Sequence, residues 1–376
     1  MKIVIAPDSF KESLSAIEVA TAIEKGFSSV FPNAEIVKIP MADGGEGTAQ
    51  TLVDATSGKM VSLSVTGPNG TPVKAFYGVL GDGKTAVIEM AAASGLDLVA
   101  IDKRNVKAAC SYGTGELISH ALDNGLRHFI IGLGGSATND GGAGMLKALG
   151  VELLDQHNAS LPAGGGELNK LTAISTSKCH PSLQEASFAI ACDVTNTLCG
   201  VNGASHIFGP QKGASKQDVE LLDSNLKHYG KLLEQHANKT IINQSGAGAA
   251  GGMAAAFLAF TNAKLTPGID LVAETVNLPH QLSNADLVIT GEGRIDGQTV
   301  NGKTPVGVAK YSPKNCPVIV VAGSIGDDYQ AVFEHGIDAV FGILNQPMPL
   351  ADALQSGFNN LTRTAYNVAR TLKLGQ

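Results

Sequence analysis

The sequence predicts an α/β protein: a doubly wound parallel sheet of the flavodoxin or Rossmann kind, with a second, mixed α/β domain inserted into it. Three observations carry this reading. Both ends of the chain alternate short apolar runs with helical patterns, which implies a parallel sheet covered on both faces. Several of those runs end in a loop of glycines and carboxylates. The middle of the chain has closely spaced strand candidates separated by turn signals, the pattern of antiparallel hairpins.

The first strand is the apolar run 2–6, stopped by Pro7 and Asp8. A helix follows over 16–30. Ser15 and Glu18 have capping-box spacing, and Ala16, Ile17, Ala20, Ile23 and Phe27 recur at the helical period and would face the sheet. A strand over 35–39 and a helix over 47–55 complete a βαβα start. The hairpin region has strand candidates at 61–65, 73–80 and 85–90, with turns at Pro68-Asn69-Gly70 and Gly81-Asp82-Gly83. Further on come a buried strand ending at Ile131, a helix from Ala143, a strand over 188–192 and a long helix over 216–235. The stripe of that long helix is Val219, Leu222, Leu226, Tyr229 and Leu233. The last ninety residues return to alternation, with strands at 286–289, 318–322 and 339–344 and helices near Val306, near Val332 and from Ala351. The division places the doubly wound domain at 1–62 and 285–376 and the inserted domain at 63–284.

Composition narrows the function. The chain has 376 residues, 44% hydrophobic and 16% charged, which suits an enzyme with a large core and not a disordered chain. A net charge of −7 without a basic block argues against a nucleic-acid or anionic-membrane surface. The five cysteines form no Cys-x-x-Cys pair, and the nine histidines have no zinc-ligand spacing. No run is long and apolar enough to span a membrane, and no signal peptide is recognisable at the start. The default location is the cytoplasm. Nothing in the sequence fixes an oligomeric state.

The most informative stretch is Gly132-Leu133-Gly134-Gly135-Ser136-Ala137-Thr138-Asn139-Asp140-Gly141-Gly142. It joins a strand to a helix. Glycines let backbone approach a ligand closely, and free amides at a helix start favour an anion. A phosphorylated ligand or a carboxylate fits there, and Asp140 is suited to a metal or a hydroxyl. The loop lacks the Gly-Lys-Ser/Thr ending of a phosphate-binding P-loop and the spacing of a dinucleotide fingerprint. An oxidoreductase using NAD is therefore disfavoured. A metabolite-binding regulator has no DNA-binding module to support it. Comparable loops are Pro7-Asp8-Ser9-Phe10-Lys11-Glu12-Ser13, Ala42-Asp43-Gly44-Gly45-Glu46-Gly47-Thr48 and Thr290-Gly291-Glu292-Gly293-Arg294-Ile295-Asp296. In open parallel sheets, ligands bind beyond the carboxyl ends of the strands.

These four loops, with Phe208-Gly209-Pro210-Gln211-Lys212-Gly213-Ala214, the glycine-rich run 246–252 and Gly302-Lys303-Thr304-Pro305, together resemble the bacterial glycerate kinase family, in order and across the whole chain. The resemblance implies ATP-dependent phosphorylation of D-glycerate, at O2 as in the glycerate 2-kinases. The alternatives are a glycerate 3-kinase or a kinase of another small hydroxy acid. It also implies the inserted two-domain architecture.

Phosphoryl transfer needs a cradle for the phosphates, Mg²⁺, positive charge and a base for the hydroxyl. The cradle candidates are Gly44, Gly45, Gly134, Gly135, Ser136, Thr138 and Asn139, joined by Gly291 and Glu292. Asp43, Glu46, Asp140 and Asp296 are the metal candidates, since Mg²⁺ takes oxygen ligands and one or two carboxylates suffice. Asp43, Asp140, Lys11 and Asp193 are the candidate catalytic residues. Asp8, Ser9, Asn196, Arg294 and Lys303 are the candidates for holding the substrate. Arg294 suits bidentate binding of a carboxylate or phosphate. The loops holding Asp43 and Asp140 read as exposed.

Overall fold

The computed structural model describes residues 1–375. The chain divides into two compact units. One comprises 1–43, 50–57 and 267–376, and the other 44–49 and 58–266.

The first unit is built on a five-stranded sheet. Its order is Ala339–Gly342, Val318–Ala322, Leu287–Thr290, Lys2–Ile5, Glu35–Lys38, and every neighbouring pair is parallel. From Lys2–Ile5 the chain moves outward to one edge, and from Leu287–Thr290 it moves to the other. The strand order therefore reverses between these two central strands. Helix Ala16–Ser28 opens with the expected capping box, Ser15 and Glu18 each bonding the other's backbone. Its buried face is turned slightly from the expected one: Val19 and Ala22 are fully buried, while Ile17 is half-buried. The reason is a second neighbour, helix Gly357–Leu374. A Cβ placed on Gly26 would stand 2.7 Å from Ala365 Cβ, Thr362 O and Tyr366 N, so the two helices meet at a glycine.

Two elements of this unit differ from the sequence reading. The helix near Val332 is a 3₁₀ segment, Tyr329–His335, held between the left-handed residues Asp328 and Gly336. The final helix is two, Leu350–Gln355 and Gly357–Leu374, separated at Ser356.

The second unit has a six-stranded mixed sheet in the order Lys264–Thr266, Ser187–Ala191, His128–Gly132, Thr85–Glu89, Pro72–Val79, Lys59–Thr66. The first four strands are parallel and the last two pair antiparallel. Helix Lys216–Ala237 buries Val219, Leu222, Leu226, Tyr229 and Leu233, the whole expected stripe. Helix Ala249–Phe260 begins irregularly, with Ala250, Gly251 and Gly252 at positive φ. A Cβ on Gly251 would lie 2.1 Å from Thr138 O, so glycine is needed there for close approach as well as for φ. Among the described residues, no helix is long and apolar enough to cross a membrane.

Gly26→Ala tests the helix contact. On an exposed helix the change stabilises by up to about 1 kcal/mol. Here overpacking against backbone should reverse the sign, destabilising by about 1–3 kcal/mol in urea unfolding.

Candidate active site

In the first unit, the two central strands deliver their loops side by side. Asp8 N donates to Gly291 O at 2.8 Å, and Thr290 Oγ1 donates to Ala6 O at 2.7 Å. This is the point where strand order reverses, the usual place for a ligand crevice in such sheets. Asp8 accepts from Ser9 N at 2.7 Å and from Thr304 Oγ1 at 2.6 Å. Burial, and then the nearby charge of Asp43, push Asp8 up to about 6. Glu292 is 8% exposed and accepts from Thr299 Oγ1 at 2.7 Å, with Lys303 Nζ at 3.6 Å. Its carboxyl rises to about 7, mainly through burial and further through Asp8 and Asp296, against the pull of Thr299 and Lys303. Arg294 Nε donates to Asp296 Oδ2 at 3.1 Å, and the Arg294 side chain is 64% exposed. Asp8, Ser9, Asp43, Gly291, Glu292, Asp296 and Lys303 thus form one neighbourhood. Lys11 stands beside it, lining a small pocket of about 120 Å³ with Phe10, Gly293 and Ser324.

In the second unit, Gly134 and Gly135 form an exposed rim after strand His128–Gly132, while Ser136 through Asp140 are buried. Asp140 has no exposed surface, which corrects the reading of its loop as exposed. Its Oδ2 accepts from Ser111 N at 2.9 Å, Ser111 Oγ at 2.7 Å and Gly144 N at 3.1 Å, and its Oδ1 from Gly142 N at 3.1 Å. It ties the loop to the start of helix Ala143–Ala148. Asn139 Nδ2 donates to Ser205 Oγ at 2.8 Å. Thr138 Oγ1 and Asn139 Oδ1 are buried with no hydrogen-bond partner.

Two residues the sequence reading passed over bond to these loops. Lys212, 2% exposed, donates to Ser136 Oγ and to Thr138 O, both at 2.7 Å. Burial pushes its ammonium down to about 7, with the charge of Asp140 opposing. Glu89 accepts from the amides of Gly47 at 3.2 Å and Ala49 at 2.7 Å, fixing the turn that carries Gly44, Gly45 and the exposed Glu46. The only sequence signal for Lys212 was its motif; a loop lysine ordinarily reads as solvated. Asp193 is exposed and Asn196 half-buried, Asn196 Nδ2 donating to Asn202 O at 2.9 Å.

Among the described residues, no three His, Cys, Asp or Glu side chains are grouped to hold a metal ion. The crowded carboxylates of the first unit still offer hard oxygen donors, and Mg²⁺ commonly takes one or two of these, completing its shell with phosphate and water.

Glycine-rich loops and carboxylates following parallel strands suit a phosphoryl-transfer enzyme of α/β fold. The chain belongs to the glycerate kinase family, whose pattern matches residues 3–373. It is 56% identical to a glycerate kinase of Haemophilus influenzae, over 99% of both chains. It is 52% identical to a glycerate 2-kinase of Escherichia coli K12, over 100% of this chain and 99% of the relative. A crystal structure of a candidate glycerate kinase 2 from Salmonella typhimurium LT2 superposes with a TM-score of 0.93 at 51% identity, covering 100% of this chain and 99% of the other.

Glu292 has a folded value above its unfolded 4.5, so the folded state holds an extra proton between about 4.5 and about 7. Its contribution is favourable below that window and is lost as pH rises through it. Without nucleotide or divalent cation, Glu292→Gln should be the more stable protein at pH 8, by roughly 2–3 kcal/mol, with a flatter profile in urea unfolding from pH 5 to 8. Asp140→Asn presents an amide to four donors. It should cost about 2 kcal/mol or more, seen as a lowered melting temperature.

Proposed function

We propose that the protein transfers the γ-phosphoryl group of ATP to O2 of D-glycerate, giving 2-phospho-D-glycerate and ADP. The observation that carries this reading is the end-to-end match to the family, together with the full-length likeness to the relative named glycerate 2-kinase. The assignment to O2 rests on that relative's name. The five cysteines are free thiols, which suits a reducing compartment, and with ATP as donor we place the protein in the cytoplasm.

The roles proposed follow the two groups of residues. Gly134, Gly135 and Ser136 cradle phosphate oxygens, with Thr138 and Asn139 shaping the loop beneath them and the Gly44–Gly45 turn adding backbone amides. Lys303, Arg294 and Ser9 supply donors for the glycerate carboxylate. Lys11 adds positive charge. Asp43, with Asp8 beside it, is the proposed Mg²⁺ ligand, and Glu46 and Asp296 are the further candidates. Bound Mg²⁺ would offset the charge that develops on the transferring group. Asp140 is fully engaged by internal donors, so its proposed part is to hold the loop. In the reaction the O2 proton passes to a carboxylate as the new P–O bond forms and the bond to ADP breaks. Asp8 at about 6 suits a proton acceptor at neutral pH.

Phosphorus NMR of a reaction with ATP, Mg²⁺ and D-glycerate should show 2-phosphoglycerate and ADP. A 3-phosphoglycerate signal would overturn the regiochemistry, and turnover only with another hydroxy acid would overturn the substrate. Asp43→Asn should lower kcat by about 10²-fold with an unchanged melting temperature. Wild-type kcat in that variant would make Asp43 a turn residue.

A further inference from the structure

The phosphate-cradling loop contains no lysine, yet a lysine from a distant segment is held beneath it. Lys212 comes from the 3₁₀ turn Pro210–Lys212, and its Nζ reaches Ser136 Oγ and Thr138 O at 2.7 Å each. It is 2% exposed, so it is not a solvated charge. Among the described residues it makes no ion pair; both acceptors are neutral. An ammonium buried in this way costs stability, and an apolar side chain of similar size would pack there at less cost. The buried Asp140 carboxylate, near enough to favour the Lys212 ammonium but not paired with it, offsets part of this cost. Its two acceptors flank Ala137, directly after the exposed rim Gly134–Gly135. Thr138 Oγ1 and Asn139 Oδ1 are buried without partners, so the loop does not hold itself at these atoms.

We infer that Lys212 is a positioning residue for phosphoryl transfer, setting the rim Gly134–Gly135 from below through Ser136 Oγ and Thr138 O and adding positive potential under it. The inference rests on the kinase reading above. Backbone amides aimed at a phosphate act best when they need not reorganise during the reaction. A lysine bonded to two points of the loop fixes them in advance. Its charge reaches the anion through the loop, as fixed positive groups beneath a backbone nest do.

The test uses the full-length protein with Lys212→Met and Lys212→Gln. The measurements are kcat and KM per folded molecule, with the folded fraction taken from circular dichroism, and amide exchange over 134–142. Lys212→Met should lose about 10²-fold in kcat, with KM for D-glycerate changed by less than about 3-fold and faster exchange confined to the loop. Lys212→Gln, which keeps a hydrogen-bond donor without the charge, should show a smaller kcat loss of the same kind. Wild-type kcat per folded molecule in Lys212→Met overturns the inference, even if its melting temperature falls. If Lys212→Met does not fold, Lys212→Gln decides: wild-type kcat per folded molecule with wild-type loop exchange in that variant overturns it. Absence of turnover in the wild type refutes the kinase reading itself, a result separate from either.

Discussion

The glycine-rich loop depends on one buried carboxylate. Asp140 has no exposed surface, and four donors converge on it: two backbone amides at the start of helix Ala143–Ala148, and the amide and hydroxyl of Ser111. A carboxylate can be buried only when its lone pairs are satisfied. Here that requirement fixes the path of the chain from Ser136 to Gly144. Ser111 Oγ donates to Asp140 and accepts from Met145 N at 3.0 Å, so the same hydroxyl anchors both loop and helix. Glycines at 141 and 142 take the positive φ values that bring their neighbours' amides round to the carboxylate.

The first unit solves a different problem. Two parallel central strands must end at the same level, so their following loops are forced together. Those loops carry Asp8 and Glu292, and Asp43 and Asp296 stand near enough to add their charge. Lys303 opposes this crowding from 3.6 Å but does not overcome burial, and Glu292 remains well above an ordinary carboxylate. Such a group is matched to proton or cation chemistry near neutral pH. The fold creates this environment by topology alone, through the reversal of strand order between Lys2–Ile5 and Leu287–Thr290.

Much of this was legible in the sequence, for local reasons. The capping box of Ser15 and Glu18, the five-residue stripe of helix Lys216–Ala237 and the hairpin at Pro68-Asn69-Gly70 all depend on residues a few positions apart. So did the alternation of strand, loop and helix that placed Asp8, Asp43, Asp140 and Glu292 after apolar runs. The buried face of Ala16–Ser28 was legible only in part, because helix Gly357–Leu374 covers a second side of it. The 3₁₀ turn at Tyr329–His335 was read as a helix because both have similar apolar spacing over two turns.

The sequence by itself determined the α/β class, the order of elements, the motif loops and the family they resemble. Those properties reside in periodicity, turn chemistry and residue identity along the chain. The tertiary structure alone decided which polar groups are buried and what they touch. Lys212 lies 76 residues from Ser136, Thr304 lies 296 residues from Asp8, and Ser111 lies 29 residues from Asp140. No local pattern records such pairs. A lysine on a loop and a carboxylate among glycines are written alike in solvent and in a core, and only packing removes the water that would otherwise satisfy them.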